Sequence, residues 1–168
     1  MYNKQIKGLH LAIPKLDSEL FEIAEAYAES NPEGMVPVNI QHCVINFRNQ
    51  IAAGAYVRLI KLDDDIFGFI AAVQAPSMHY SERTVQQLYY YCELEGLHAF
   101  RALVMAHEGL IKYAEGLKAK YVISPCSQFY KNDNLCRILK TQGWDTFGYL
   151  AVWKTSHNAV PSTKVPER

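Results

Sequence analysis

Residues 87 to 104, QLYYYCELEGLHAFRALV, run a strand into a helix and gather at the junction the groups best placed to do chemistry. Glu93 ends the strand. A carboxylate there serves as a general base when its surroundings bring its pKa towards neutrality, and is otherwise a solvated strand end. Beyond it come one glycine, Gly96, then Leu97, His98, Ala99, Phe100 and Arg101. A helix start attracts anions, because its first N–H groups have no partner inside the helix and its dipole is positive there. His98 and Arg101 add charge at that end, and arginine forks bidentately onto phosphate. An arginine this early opposes the dipole, so an anionic partner is expected for it.

Other reactive side chains read as structural. His107 and Glu108 are neighbours on the following helix and diverge by about 100°, so they make no metal pair, and His107 reads as a satisfied core histidine. Cys136, among Leu135, Ile138 and Leu139, reads as a small core residue. The four cysteines, Cys43, Cys92, Cys126 and Cys136, show no C-x-x-C spacing. That speaks against zinc or a disulfide framework and for reduced thiols in a cytosol. No metal is expected.

These groups must be positioned by a chain of 168 residues, which suits one domain with a sizeable core. Seventeen basic and 17 acidic residues cancel, without a basic stripe or an acidic block, so neither nucleic acid nor an anionic membrane is expected as partner. No apolar run reads as a signal peptide or a membrane span, which makes a cytoplasmic, non-secreted product the expectation.

Periodicity lays out the elements. A short strand covers 7 to 13. Leu16, Leu20, Ile23, Ala24 and Tyr27 mark a helix that Asp17 or Ser18 can cap. A second helix spans 37 to 52, with Ile40, Val44, Phe47 and Ile51 on one face. Residues 55 to 62 and 66 to 73 form a hairpin around Asp63, Asp64 and Asp65. The stretch from 75 to 84, with Met78, His79 and Tyr80, reads as a long loop. A strand at 85 to 93 puts Tyr89 and Tyr91 on one face and Tyr90 on the other, packed beneath helices. A helix at 97 to 117 carries Phe100, Val104, Ile111 and Ala114 on its buried stripe. A strand at 121 to 124, a helix at 132 to 141, and one bent or two short strands at 144 to 154 complete the domain. The expected architecture is α/β, a mixed and mostly antiparallel sheet with helices on both faces, in the order β-α-α-β-β-β-α-β-α-β. Residues 1–154 form the domain and 155–168 a polar, proline-spotted, flexible tail. The 75–84 loop and the tail are the expected contacts to protein partners, and a homo-oligomer is left open.

This order and several motifs resemble the GNAT superfamily of acetyl-CoA-dependent N-acetyltransferases over residues 7 to 154. The best piece is YVIS, then Asn132, then Cys136 to Leu139, then Gly143-Trp144 and Gly148-Tyr149. It is similar to the family pattern N-x-x-A-x-x-L-Y-x-x-x-G-F, with Asn132 on the asparagine and Gly143-Trp144 on the Gly-Phe. The resemblance implies acetyl-CoA as cofactor, with Tyr91, Gly96, His98, Ala99, Arg101 and Asn132 around it. It implies Glu93 as the base, acting directly or through water, and backbone groups after Tyr91 that polarise a thioester carbonyl.

Two positions depart from the family. Its Q/R-x-x-G-x-G/A loop falls on Gly96 to Arg101, where Leu97 and Phe100 would put bulk in the phosphate's place and only Ala99 has a suitably small side chain. Its proton-donating tyrosine falls on Leu139, which cannot do acid chemistry. A looser resemblance links ERTVQQLYYYCELEG and HAFRAL to small GNAT-like proteins encoded among the particle genes of tailed bacteriophages. LCRILKTQGW is likewise similar to the end of a GNAT-like internal virion protein of short-tailed phages. The expected function is therefore a non-catalytic GNAT-fold structural or adaptor protein without cofactor, a minor constituent of a tailed-phage particle located in the virion or host cytoplasm. The alternative is an acetyl-CoA-dependent N-acetyltransferase with a remodelled cofactor loop.

Overall fold

The structure is a computed structural model of the chain, and it describes residues 6–29, 38–76, 82–125, 133–147 and 150–155. Along the chain run β1 (Leu9–Ala12), α1 (Asp17–Glu29), α2 (Ile40–Ala52), β2 (Tyr56–Leu62), β3 (Asp65–Pro76), β4 (Arg83–Cys92) and α3 (Gly96–Gly116). After them come β5 (Tyr121–Pro125), α4 (Asp133–Thr141), β6 (Asp145–Phe147) and β7 (Leu150–Lys154). The strands form one sheet in the order β1-β2-β3-β4-β5-β7-β6. Every pairing is antiparallel except β4 with β5. This is the expected architecture, with the final strand divided in two.

Alternation along the strands divides the core between the two faces of the sheet. Val57, Leu59, Phe69 and Ala71 pack under α1 and α2, through Leu20, Ile23, Val44 and Phe47. Ile60, Ile70, Val85 and Val122 point the other way, to α3 and α4. The tyrosines follow suit. Tyr89 meets Tyr27 edge-on at 5.0 Å, while Tyr90 lies 5.6 Å from the ring of His107 on the α3 side.

Several local expectations shift. The carboxylate of Glu19, one turn into α1, accepts from the backbone N–H groups of Lys15 and Leu16 at 2.7 and 3.1 Å and does the capping expected of Asp17 or Ser18. Asp17 instead pairs with Arg48 on the surface. In α2 the cap is Asn39, whose side chain accepts from His42 N at 3.0 Å, so the helix starts at Ile40 rather than at 37. The buried face of α3 is Ala102, Leu103, Ala106, His107, Leu110 and Ala114, about one position round from the predicted stripe. Three of these six are alanines, which let the helix pack close to the sheet. The long loop narrows as well: Ala75 and Pro76 pair with Thr84 and Arg83, leaving 77–81, including Met78, His79 and Tyr80, outside the described residues. Thr155 is still tied in, its hydroxyl donating to the Ala119 carbonyl at 2.6 Å, and 156–168 lie outside the described residues. Among the described residues no helix is long and apolar enough to cross a membrane.

Candidate active site

The parallel ladder between β4 and β5 is short. β4 pairs with β5 only at Thr84–Tyr121, Val85–Val122 and Gln86–Ile123. Its other edge stays on β3 up to Cys92. The register shifts between Ala71 and Ala72, which face Tyr89 and Gln87, so Leu88 is the extra residue of a bulge. A bulge bends and twists its strand, and this one lies where β4 leaves β5. Among the described residues no strand pairs with that edge of β4 from Gln87 to Cys92.

Three residues separate the end of β4 from the N-terminus of α3. Gly96 opens the helix at φ +55, a left-handed conformation that glycine adopts without cost, with nothing within 4 Å of where a Cβ would sit. Glu95 holds the cap position without a side-chain cap bond, and no acid follows in the first turn, so the first amides keep their pull on an anion. Leu97 is 57% exposed and His98 is exposed: both project to solvent rather than into the turn. Ala99 and Phe100 are half-buried. The Nε of Arg101 is buried and has no hydrogen-bond partner. An orphaned guanidinium nitrogen one turn into an uncapped helix fits a bound phosphate, and Glu95 is the like-charged neighbour at the cap. Asn132 lies outside the described residues.

Where β4 ends, a cleft of about 170 Å³ opens on the α1 side, lined by Glu22, Glu25 and Glu29 of α1, by Gly68 and Tyr91, and by Glu93. Glu93 is exposed, and the Tyr91 hydroxyl donates to its Oε1 at 2.8 Å. That bond aims the carboxylate. Gly68 is needed for a different reason from Gly96, because a Cβ there would stand 2.1 Å from the carbonyl oxygen of Tyr91. Among the described residues no three acidic, histidine or cysteine groups converge as metal ligands.

Two features of the α3 side escaped the sequence reading. Gln87, Ser124 and His107, each nearly fully buried, join side chain to side chain where the ladder stops. Tyr90 is also on this face, its hydroxyl pKa pushed well up by burial and next by the Cys92 thiol, so it holds its proton. Both depend on pairings between distant segments, which periodicity does not reveal. His107 is the satisfied core histidine expected, its ring bonded at both nitrogens. Leu139, at 1% exposed, is core. Cys43 and Cys92 are free thiols, whereas Cys136 is disulfide-bonded, which corrects its reading as a lone reduced thiol.

No family model and no curated protein matches the chain. Solved structures do match. One from Salmonella typhimurium, assigned as an acetyltransferase and solved with its cofactor acetyl-CoA, superposes with a TM-score of 0.71 at 12% identity, over 94% of this chain and 99% of that one. A phosphinothricin acetyltransferase of the GNAT superfamily from Sinorhizobium meliloti, in complex with acetyl-CoA, gives 0.65 at 16% identity over 93% and 97%. A ribosomal-protein-alanine N-acetyltransferase from Brucella melitensis gives 0.66 at 14% identity over 86% and 96%. At these identities the likeness establishes the GNAT fold. It overturns the expectation of a non-catalytic phage-particle protein without cofactor, since the fold is shared along nearly its whole length with acetyltransferases, two of them holding acetyl-CoA. Of the residues behind that expectation, Leu97 is 57% exposed, Phe100 is half-buried, and Leu139 is buried core.

Proposed function

We propose that the chain is an acetyl-CoA-dependent N-acetyltransferase whose acceptor is a positively charged amine. The observation that carries this reading is the uncapped start of α3 with the orphaned Arg101 Nε one turn in, just beyond the part of β4 that β5 does not pair. When bound, acetyl-CoA supplies the activated acyl group. The residues around the cleft do the rest. The amides at 96–98, with Arg101 and His98, hold a diphosphate by charge and helix dipole. The β4 edge from 88 to 92 offers N–H and C=O groups to an extended amide arm, as a sheet edge receives an added strand. Backbone N–H groups past Tyr91 polarise a carbonyl at the strand's end.

Proton movement falls to Glu93 and to solvent. Glu93, aimed by Tyr91, takes the proton of the incoming amine directly or through a water and passes it to solvent. Tyr90 on the other face is held protonated by burial and is a weak acid, so the departing thiolate that Leu139 cannot protonate takes its proton from solvent. Glu22, Glu25, Glu29 and Glu93 give the acceptor cleft one sign of charge, which concentrates a cationic amine there. The direct test is coenzyme A release, followed by chromatography, with acetyl-CoA and either spermidine or aniline, an amine uncharged at neutral pH. Release with spermidine above that with aniline is expected. No release above a protein-free control with spermidine, lysine amide or a lysine-rich peptide would remove this reading.

A further inference from the structure

Where the β4–β5 ladder ends, a side-chain chain takes over from the backbone. The last backbone pair is Gln86–Ile123. One residue further on, Ser124 Oγ lies 2.8 Å from Gln87 Oε1, the amide end placed towards it, and 3.2 Å from His107 Nε2 on α3. Nδ1 of His107 lies 2.9 Å from the Leu103 carbonyl, which can only accept. Gln87, Ser124 and His107 are 3%, 0% and 2% exposed, so water does not compete for these bonds.

The protons can be counted. Nδ1 carries one, for the carbonyl. Burial pushes the imidazole pKa down to about 4, so at neutral pH the ring is uncharged and Nε2 is a bare acceptor. Ser124 has a single hydroxyl proton, and Nε2 claims it. The Gln87 amide must then turn its NH2 towards Ser124, an orientation that its two near-identical ends allow. The result is a one-way chain: Gln87 donates to Ser124, Ser124 to His107, and His107 to the turn of α3 above it. A buried side-chain network of this kind holds its elements rigidly. This one ties β4, β5 and α3 together at the point where the ladder ends.

We infer that Gln87, Ser124 and His107 are positioning residues that set where β4 and β5 part, and thereby how far an acyl thioester's arm runs along β4 before its carbonyl meets the strand. The inference rests on the acetyltransferase reading above. Without the network the arm is still gripped at the start of α3 but no longer seated on β4.

Amide hydrogen exchange of the full chain, with and without acetyl-CoA, separates the two grips. In the wild type, acetyl-CoA slows exchange about tenfold both at 96–99 and at 88–92. In Ser124→Ala the slowing at 96–99 persists while that at 88–92 falls below about twofold, and Ser124→Thr, which keeps the hydroxyl, restores it. Should the alanine variant not fold, Gln87→Met, which removes the amide but keeps the bulk, carries the same expectation. A ring ¹⁵N spectrum of wild-type His107 shows the Nδ1–H form, and the variant without the serine hydroxyl loses the Nε2 hydrogen-bond shift. Undiminished slowing at 88–92 in the folded variant overturns the inference and leaves the acetyltransferase reading intact. A wild type that acetyl-CoA slows at neither segment removes both.

Discussion

At Arg101 a guanidinium nitrogen is buried without a partner, at the end of a helix whose own amides are unpaired. Such a group costs folding energy unless something anionic meets it. Arg101→Ala is therefore expected to leave the unfolding midpoint unchanged or raised, while weakening acetyl-CoA binding by about tenfold in calorimetry, the worth of one charge-assisted bond. Equal affinity in the variant would place the phosphate grip elsewhere. Glu93 is read differently, since it meets the acceptor and not the cofactor. Glu93→Gln keeps shape and the bond from Tyr91, and steady-state kinetics should show kcat lowered by about a hundredfold with KM for acetyl-CoA unmoved. A change in KM alone would make Glu93 a binding group.

Elements hold these residues in place through a few buried links whose pH dependence can be stated. Glu19, hydrogen-bonded first to Lys61 and then to the start of α1, has its pKa lowered to about 2 from 4.5. Its contribution is present above pH 4.5 and is lost as pH falls towards 2. With both partners at 17% exposure, solvent screening brings the link to about 1 kcal/mol. His107 has its pKa lowered by burial to about 4 from 6.5, so it costs stability as pH falls through that earlier window. Urea midpoints across pH for wild type, Glu19→Gln and His107→Gln should converge near pH 2 for the first variant. The second variant should lose the fall between pH 6.5 and 4. A wild-type curve flat over both windows would contradict these assignments. Elements of this kind were legible in sequence where one face is strongly apolar, as in β2 and β3. The stripe of α3 was misplaced because Phe100, Val104 and Met105 are apolar as well, and only packing selects the alanines beside them. The cap of α1 was misassigned because the acting carboxylate lies inside the helix.

Across the whole molecule the sequence conveyed the topology but not the extent of its central pairing. Among the described residues β4 and β5 form three pairs, and no local pattern announces where a pairing stops. The Gln87–Ser124–His107 chain joins residues 37 and 17 positions apart for the same reason. Leu97 suggested bulk inside the turn when read as a string, and only the structure shows it exposed to solvent. The acidic lining at the end of β4 likewise comes together from α1 and β4, and is invisible in a net charge of zero. The account stands on acetyl-CoA seating itself between the start of α3 and the end of β4, which thermal unfolding measures most directly. At a hundred times its dissociation constant, acetyl-CoA should stabilise the wild type by about 2.7 kcal/mol, and less in Arg101→Ala at the same concentration. A midpoint unmoved at millimolar acetyl-CoA would contradict it.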